Sequence, residues 1–302
     1  MKSINYSDVK IDHSAEEALK TGDDTLDQFI SGVGGFVRGS AIFLTGTPGA
    51  GKTTFSVVLQ KFFENIKTSL YSREMTNSSV VMQMERYKIL HHNAFIVDRS
   101  MCASIEDYMR ELDDMKPSIV IIDSLQILLK EDFIDVPADT AAFNLIQNLR
   151  AWTDKNNAVL IVIGHVNKDG SFEGKNTIEH LFDAHLEMIF DKGKNTRTLS
   201  WSKNRKGSID QTLFYVFGEK SLEFYTAEQY QNIKQEKDLE DFILEAALNF
   251  MKSLDRKSPQ YKEFQKDLNQ QISLIMEANL NRLDTTISCI KVIQKKIEEY
   301  NL

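Results

Sequence analysis

The chain has 302 residues, of which 42% are hydrophobic and 26% are charged, and its formal net charge is −8. This composition is typical of a soluble globular protein with one large core and a smaller extension, and the negative charge excludes a generally basic surface for nucleic acid. No apolar run approaches the ~20 residues of a membrane span, and residues 1–6 show no signal-peptide pattern, so we expect a cytoplasmic protein without membrane contact.

The first forty residues lead into a predicted sheet. Residues 1–20 lack clear periodicity and are predicted to form an N-terminal arm. Residues 21–40 predict a short helix flanked by glycine turns, and residues 41–45 form an apolar run of strand length. We therefore expect the main domain to begin at residue 21, and we place its end at residue 226.

A phosphate-loop motif, G-x-x-x-x-G-K-[ST], follows the first strand and precedes apolar residues at helical spacing. Its glycines allow successive backbone N–H groups to point inward, and the helix N-terminus adds partial positive charge. Lys52 is predicted to reach the β- and γ-phosphates of ATP, and the Thr53 hydroxyl to ligate Mg²⁺. The residues of the motif are Gly46, Thr47, Pro48, Gly49, Ala50, Gly51, Lys52, Thr53 and Thr54.

Glu74 follows the second predicted strand, residues 68–72. The carboxyl ends of parallel strands line the ligand crevice of an open α/β sheet, so Glu74 is placed to polarise the water that attacks the γ-phosphate. A solvated loop glutamate is the alternative interpretation of the same position.

Asp123 ends another apolar strand, after a predicted helix over residues 78–90, a strand over 94–97 and a helix over 104–115. A carboxylate at the tip of a buried parallel strand is typical of the Walker B residue, which holds Mg²⁺ through its waters. Such a pattern alone is weak, and the phosphate loop upstream favours the functional interpretation.

His165 lies just after the strand predicted over residues 158–163, on the same side of the sheet. A lone histidine is more often structural, but its position at a strand tip favours a γ-phosphate sensor. Between Asp123 and this strand, residues 125–137 predict a continuation of the apolar run into a polar, acidic loop, and residues 140–155 predict a helix.

The last part of the chain predicts two kinds of structure. Residues 185–190, 196–202 and 211–217 alternate and are separated by turn residues, which indicates an antiparallel edge on a mostly parallel sheet. Residues 227–302 carry apolar residues at helical spacing and predict a C-terminal helical hairpin. Two interpretations of this extension stay open: it packs on the ATPase core of its own chain, or it docks on a neighbouring subunit or a partner protein.

Taken together, these motifs resemble the RecA-like ATPases, and among them the RadA/Sms branch, with the DnaB-type helicases as its relatives. The later motifs of the series are more specific than the phosphate loop, which many NTPases share. The motifs that carry the resemblance are, in chain order, Thr21-Gly22, residues 34–40, the phosphate loop, residues 71–74, residues 122–126, residues 164–170, residues 178–183 and residues 203–207.

The resemblance implies a RecA-like P-loop NTPase fold of the α/β class, with flanking helices around the sheet. It implies that Gln126 and His165 couple the γ-phosphate to DNA-facing loops. It also implies that Lys203 and Arg205 reach the nucleotide of the neighbouring subunit, although a solvated hairpin tip would carry the same charges. Lys168 and Lys175, with the loop after Asp123, would touch phosphates of single-stranded DNA.

The chain also departs from the RadA pattern, since it has neither the four-cysteine zinc module nor room for a Lon-like domain after residue 226. We expect a Mg²⁺-dependent ATPase that forms a ring, most often a hexamer, and moves on or remodels single-stranded DNA. The alternative is a KaiC-like regulatory ATPase that controls a protein partner through its helical tail. A filament-forming recombinase is disfavoured because residues 203–207 resemble the ring-forming branch.

Overall fold

A computed structural model describes residues 17–97, 102, 104–165, 178–218 and 221–235, together with positions 266, 270, 291, 292 and 295. The chain divides into two compact units, Met1–Ala227 and Glu228–Leu302. In the second unit, residues 228–235 are helical, and most of the predicted hairpin lies outside the described residues. Lys168 and Lys175 also lie outside them, as do residues 1–16 of the predicted arm.

The first unit is built on a nine-stranded sheet in the order β11-β10-β9-β8-β3-β7-β6-β4-β5. A separate two-stranded sheet pairs β1 with β2, so the last residues of the predicted arm are part of a strand. The strands are β1 Ala18–Leu19, β2 Phe36–Val37, β3 Ala41–Gly46, β4 Thr68–Ser72, β5 Ala94–Ile96, β6 Ile119–Asp123, β7 Val159–Ile163, β8 Ala184–Asp191, β9 Thr196–Asn204, β10 Thr212–Phe217 and β11 Leu222–Tyr225.

Six helices accompany these strands in the described part of the first unit. They are α1 Asp24–Ile30, α2 Lys52–Leu59, α3 Asn77–Arg86, α4 Ile105–Met115, α5 Leu125–Asp132 and α6 Ala138–Asn156. Three of them begin with a side-chain cap: Asp23 accepts a hydrogen bond from the Leu26 N–H, Thr76 accepts one from the Ser79 N–H, and Ser104 forms a capping box with Asp107. None of the helices in the described ranges has the length and apolar character to cross a bilayer.

The sheet is apolar on both faces because its central strands are continuous apolar runs. In β3, Ile42 and Leu44 join one hydrophobic cluster, whereas Ala41 and Phe43 join the other. All five residues of β6 and all five of β7 are buried. These strands pair in parallel, so the carboxyl ends of β3, β4, β6 and β7 lie at the same edge of the sheet.

The antiparallel edge predicted from the sequence is present. β8 runs parallel to β3, and β9, β10 and β11 then follow in antiparallel order. The sequence analysis did not include β11. The α/β fold with a mostly parallel sheet and flanking helices is therefore confirmed.

The acidic loop predicted after the apolar run 125–129 is wrong for its first part, because residues 130–132 belong to helix α5, which begins at Leu125. Leu125, Leu128 and Leu129 are buried on one side of this helix. Their spacing is helical, and the burial of this stripe outweighs the polar residues that follow it. Helix α3 also ends earlier than predicted, at Arg86, and Lys88 then adopts a positive φ of 57°.

Candidate nucleotide site

The phosphate loop joins the carboxyl end of β3 to the start of α2. Lys52, the first residue of α2, is buried, and its Nζ donates a hydrogen bond to the Gly46 carbonyl at 2.9 Å. The ammonium group therefore lies across the loop, where the phosphates of a nucleotide would lie. Burial lowers the pKa of Lys52, and the nearby carboxylates of Glu74 and Asp123 act against this shift.

Two positions of the loop require glycine because neighbouring strands approach them closely. A Cβ at position 46 would lie 2.1 Å from the Met188 carbonyl oxygen on β8. At position 51, φ is +95° and a Cβ would lie 2.2 Å from Cζ of Phe217. The loop can therefore pack against β8 and β10 only because these positions carry no side chain.

Hydrogen bonds from the antiparallel strands hold the loop in place. The Thr47 hydroxyl accepts from the Phe190 N–H at 2.8 Å, and the Thr47 N–H donates to the Met188 carbonyl at 3.0 Å. The Tyr215 hydroxyl donates to the Ala50 carbonyl at 2.6 Å. These contacts shape the loop before any nucleotide binds, which lowers the cost of ordering it.

Glu74 is brought beside the loop by the end of β4. Its Oε2 accepts a hydrogen bond from the Thr53 hydroxyl at 3.3 Å and lies 3.2 Å from Nε2 of His165. The Gln126 side chain in turn donates to the His165 carbonyl at 2.8 Å. The structure thus brings together four residues that follow four different strands, β3, β4, β6 and β7.

Glu74 and His165 are open to solvent, with side-chain exposures of 36% and 41%. A water molecule can therefore reach the Glu74 carboxylate while Lys52 and Asp123 stay buried. That combination suits a general base, which must meet an attacking water within hydrogen-bond distance.

Asp123 lies at the end of β6 and is fully buried. Burial raises its pKa to about 7, and the negative charge of Glu74 adds to the rise. Neither of its carboxylate oxygens has a hydrogen-bond partner among the described residues. A buried carboxyl group in this condition is a candidate for holding a cation or the waters around one.

The donor set fits Mg²⁺. Thr53 and Asp123 supply a hydroxyl and a carboxylate, and oxygen ligands of this kind are the ones that Mg²⁺ prefers. The described residues contain no group of three or more His, Cys, Asp or Glu side chains that could enclose a metal ion. An ion here would take most of its ligands from phosphates and water, as Mg²⁺ does in nucleotide sites.

Lys203 and Arg205 lie toward the other end of the sheet. Met188 of β8 lies opposite Gly46, whereas His185 of β8 lies opposite Lys203. This register separates Lys203 from the level of the phosphate loop by about 10 Å of strand. Neither cation is therefore brought to the nucleotide site of its own chain.

Both cations are engaged at that end of the sheet. Lys203 donates to the carbonyls of Phe182 at 2.6 Å and Glu179 at 3.1 Å, and burial lowers its pKa. Arg205 lies 3.4 Å from the Asp183 carboxylate, and its side chain is 56% exposed. Of these two cations, Arg205 is thus the one whose charged group is largely accessible to solvent.

Comparison with known proteins agrees with this geometry. Residues 42–189 match the family model described as the ATPase family associated with various cellular activities (AAA). The DNA repair protein RadA of Salmonella typhimurium is 30% identical over 220 residues, which are 70% of this chain and 46% of that protein. RadA of Treponema pallidum is 33% identical over 192 residues, 63% of this chain and 41% of that protein.

This chain carries a RecA-like P-loop ATPase domain. A KaiC-like protein from Pyrococcus horikoshii has the same fold, with a TM-score of 0.55 at 17% identity, over 69% of this chain and 99% of that one. The predicted resemblance to the RadA branch is confirmed by the RadA similarity. The chain spans less than half of the length of these RadA proteins, at 46% and 41%.

The ATPase domain also has a group of residues beside the phosphate loop that sequence analysis missed. The Arg197 guanidinium carbon lies 4.1 Å from the ring centroid of Phe190 and 5.4 Å from that of Phe217. The two rings approach Gly49 and Gly51 of the loop. The three side chains come from β8, β9 and β10, so only the pairing of these strands brings them together.

Proposed function

We propose that this protein hydrolyses Mg²⁺-bound ATP in a ring of identical subunits and uses the energy to move on or remodel single-stranded DNA. The observation that carries the proposal is the division of the machinery. Lys52, Thr53, Glu74 and Asp123 surround the phosphate loop of one chain, whereas Arg205 is exposed at the other end of the sheet. A neighbouring chain would complete the set.

The residues near the loop account for the chemical step. Lys52 and the N–H groups of the loop bind the phosphates, and Glu74 accepts a hydrogen bond from the attacking water. Mg²⁺, held by Thr53 and by Asp123 through water, would neutralise the β- and γ-phosphates. The His165 ring contacts the Glu74 carboxylate, and the His165 backbone carbonyl accepts a hydrogen bond from the Gln126 side chain. This position between Glu74 and Gln126 suits the proposed role of His165 as a sensor of the γ-phosphate.

Arg205 would supply the missing cation. Charge on the transferring phosphoryl group is stabilised when a guanidinium group is brought to it, and such cations contribute on the order of 10³ or more to turnover. Asp183 keeps its hydrogen bonds from Ala41 and Arg150 whether or not Arg205 is near. Arg205 can therefore leave Asp183 for a neighbour without stranding a buried charge.

Single-stranded DNA is proposed as the partner because the relatives at about 30% identity are named DNA repair proteins. We further propose that Lys168 and Lys175 contact its phosphates and that the C-terminal helices bind a neighbour or a partner protein. DNA contacts of this kind depend strongly on salt, because each neutralised phosphate releases counterions.

A second candidate is a regulatory ATPase that acts on a protein partner. After helix α5 the chain exposes the acidic residue Asp135, and its neighbour Ile134 is 81% exposed. An acidic segment with an exposed apolar residue repels DNA phosphates and suits a protein surface. This candidate uses the same catalytic residues.

The two candidates are separated by one experiment. ATP turnover is measured at several salt concentrations with and without single-stranded oligonucleotides. The DNA motor predicts stimulation by DNA that declines as salt is raised. Turnover that DNA leaves unchanged at low salt favours the regulatory candidate, and no turnover under any condition contradicts both.

A further inference from the structure

Arg73, directly before Glu74, is an unexpected residue at the tip of β4. It is 7% exposed although it carries a charge. Its Nη1 lies 3.2 Å from the Glu131 carboxylate, and its Nη2 lies 3.2 Å from that of Asp132. The Asp132 side chain is only 7% exposed, so this pair is formed away from water.

A pair buried in this way is better suited to fixing a position than to stabilising a fold. Removing two charges from water carries a desolvation cost, which their attraction offsets only when the geometry is good. Burial raises the pKa of Asp132 even though the Arg73 guanidinium acts against it. The ring of Tyr71 lies 4.9 Å from the guanidinium carbon and limits its movement further.

Each end of helix α5 is linked to Glu74 through another residue. At the start of the helix, Gln126 holds the carbonyl of His165, whose ring contacts the Glu74 carboxylate. At its end, Asp132 holds Arg73, the residue next to Glu74 in the chain. The backbone between these contacts is also fixed, since the Arg73 N–H donates to the Asp123 carbonyl at 2.6 Å.

We propose that Arg73 is a positioning residue, which through its ion pair with Asp132 holds Glu74 at the correct place and angle toward the attacking water. The inference rests on the proposed ATP hydrolysis. Arg73 does not touch the nucleotide site itself, because its guanidinium group faces α5. It acts by restricting a general base that is otherwise exposed, and a displacement of about 1 Å can reduce turnover by ~10²-fold.

The test compares Arg73→Gln, Asp132→Asn and the double variant, with turnover, ATP affinity and thermal unfolding measured on each. Arg73→Gln is expected to lower kcat about tenfold or more while nucleotide affinity stays within about twofold, because only the base is displaced. Asp132→Asn is expected to lower kcat less, since Glu131 still holds Arg73. The double variant is expected to be no slower than Arg73→Gln alone, since the residues act as one pair.

Arg110→Gln is the matched control, because it removes an arginine that pairs with Asp107 on the surface at 76% side-chain exposure. Its kcat should equal that of the wild type. Arg73→Lys should recover part of the lost turnover, because it keeps the charge but lacks the two separate guanidinium nitrogen atoms that contact Glu131 and Asp132.

Full turnover in a folded Arg73→Gln protein would overturn the proposal, as would additive losses in the double variant. Parallel losses of affinity, turnover and thermal stability would assign a merely structural role to Arg73 and would also overturn it. Should Arg73→Gln not fold, Asp132→Asn decides alone, by a kcat loss at unchanged affinity. Absence of turnover in the wild type would instead contradict the proposed function.

Discussion

Glu74 shares one carboxylate oxygen between the Thr53 hydroxyl and the His165 ring, at 3.3 and 3.2 Å. The two contacts aim the carboxylate at the region above the phosphate loop. In the proposed function, this partly exposed glutamate acts as the base, and the fully buried Asp123 serves the cation. Environment, rather than residue type, separates the two roles.

Replacement of this base tests that division of roles. Glu74→Gln should lower kcat by ~10²-fold or more, since general-base catalysis contributes on that order, and should leave ATP binding largely intact. Turnover and fluorescent-nucleotide affinity are measured in parallel. Glu85→Gln, on the exposed side of α3, is the control. Loss of ATP binding in Glu74→Gln would contradict the assignment.

The Arg197 guanidinium group lies over the ring of Phe190 and near that of Phe217, and both rings approach the phosphate loop. We expect it to stack against the nucleobase, because guanidinium and aromatic planes both bind π systems. Arg197→Ala should raise KM for ATP several-fold and change kcat little. Lys194→Ala, which removes a cation that is 78% exposed, is the control. An unchanged KM would show that the base binds elsewhere.

At the scale of the elements, the contact between β3 and β8 holds the phosphate loop in shape. Gly46 lies opposite Met188, and the loop hydrogen-bonds to β8 at Met188 and Phe190. The antiparallel strands are therefore a support for the nucleotide site as well as an edge of the sheet. A change at this contact should affect the fold and the site together.

Gly46→Ala tests this support. The new Cβ would lie 2.1 Å from a backbone oxygen, which cannot move as a side chain could. We expect a loss of unfolding free energy of about 3 kcal/mol, the upper end for overpacking, together with loss of ATP binding. Chemical denaturation measures the first quantity. Gly193→Ala, at a hairpin turn with a Cβ 3.4 Å from the Asp191 carboxylate, should change neither.

The sequence predicted the parts of this site that depend on local pattern. Lys52, Glu74, Asp123 and His165 each follow a buried apolar strand, and parallel strands bring their tips to one edge. Helix α5 was not predicted, because the acidic residues after Leu129 indicate a loop and hide the helical stripe that begins at Leu125.

Side-chain partnerships between distant residues could not be predicted. The pairing of Arg73 with Asp132 depends on where α5 ends. The approach of Arg197 to Phe190 and Phe217 depends on the register of three antiparallel strands. Neither leaves a periodicity or a motif in the sequence, so both required the structure.

For the whole molecule, the central proposal is that each nucleotide site is completed by an adjacent chain. Lys52 and Arg205 lie toward opposite ends of the sheet of one chain, so one chain cannot use both on one nucleotide. In the proposed ring, the Arg205 end of one subunit would lie beside the phosphate loop of the next. Turnover should then depend on assembly and rise steeply with protein concentration.

The most direct test mixes two inactive variants, Lys52→Ala and Arg205→Ala. Each is expected to be inactive alone, the first through loss of phosphate binding and the second through loss of the trans cation with ATP binding retained. In mixed rings, an Arg205→Ala subunit offers an intact phosphate loop to the intact Arg205 of a Lys52→Ala subunit. We predict that turnover in the mixture clearly exceeds the sum of the two variants measured separately. Turnover equal to that sum, in a mixture shown to form common rings, would contradict a site shared between subunits.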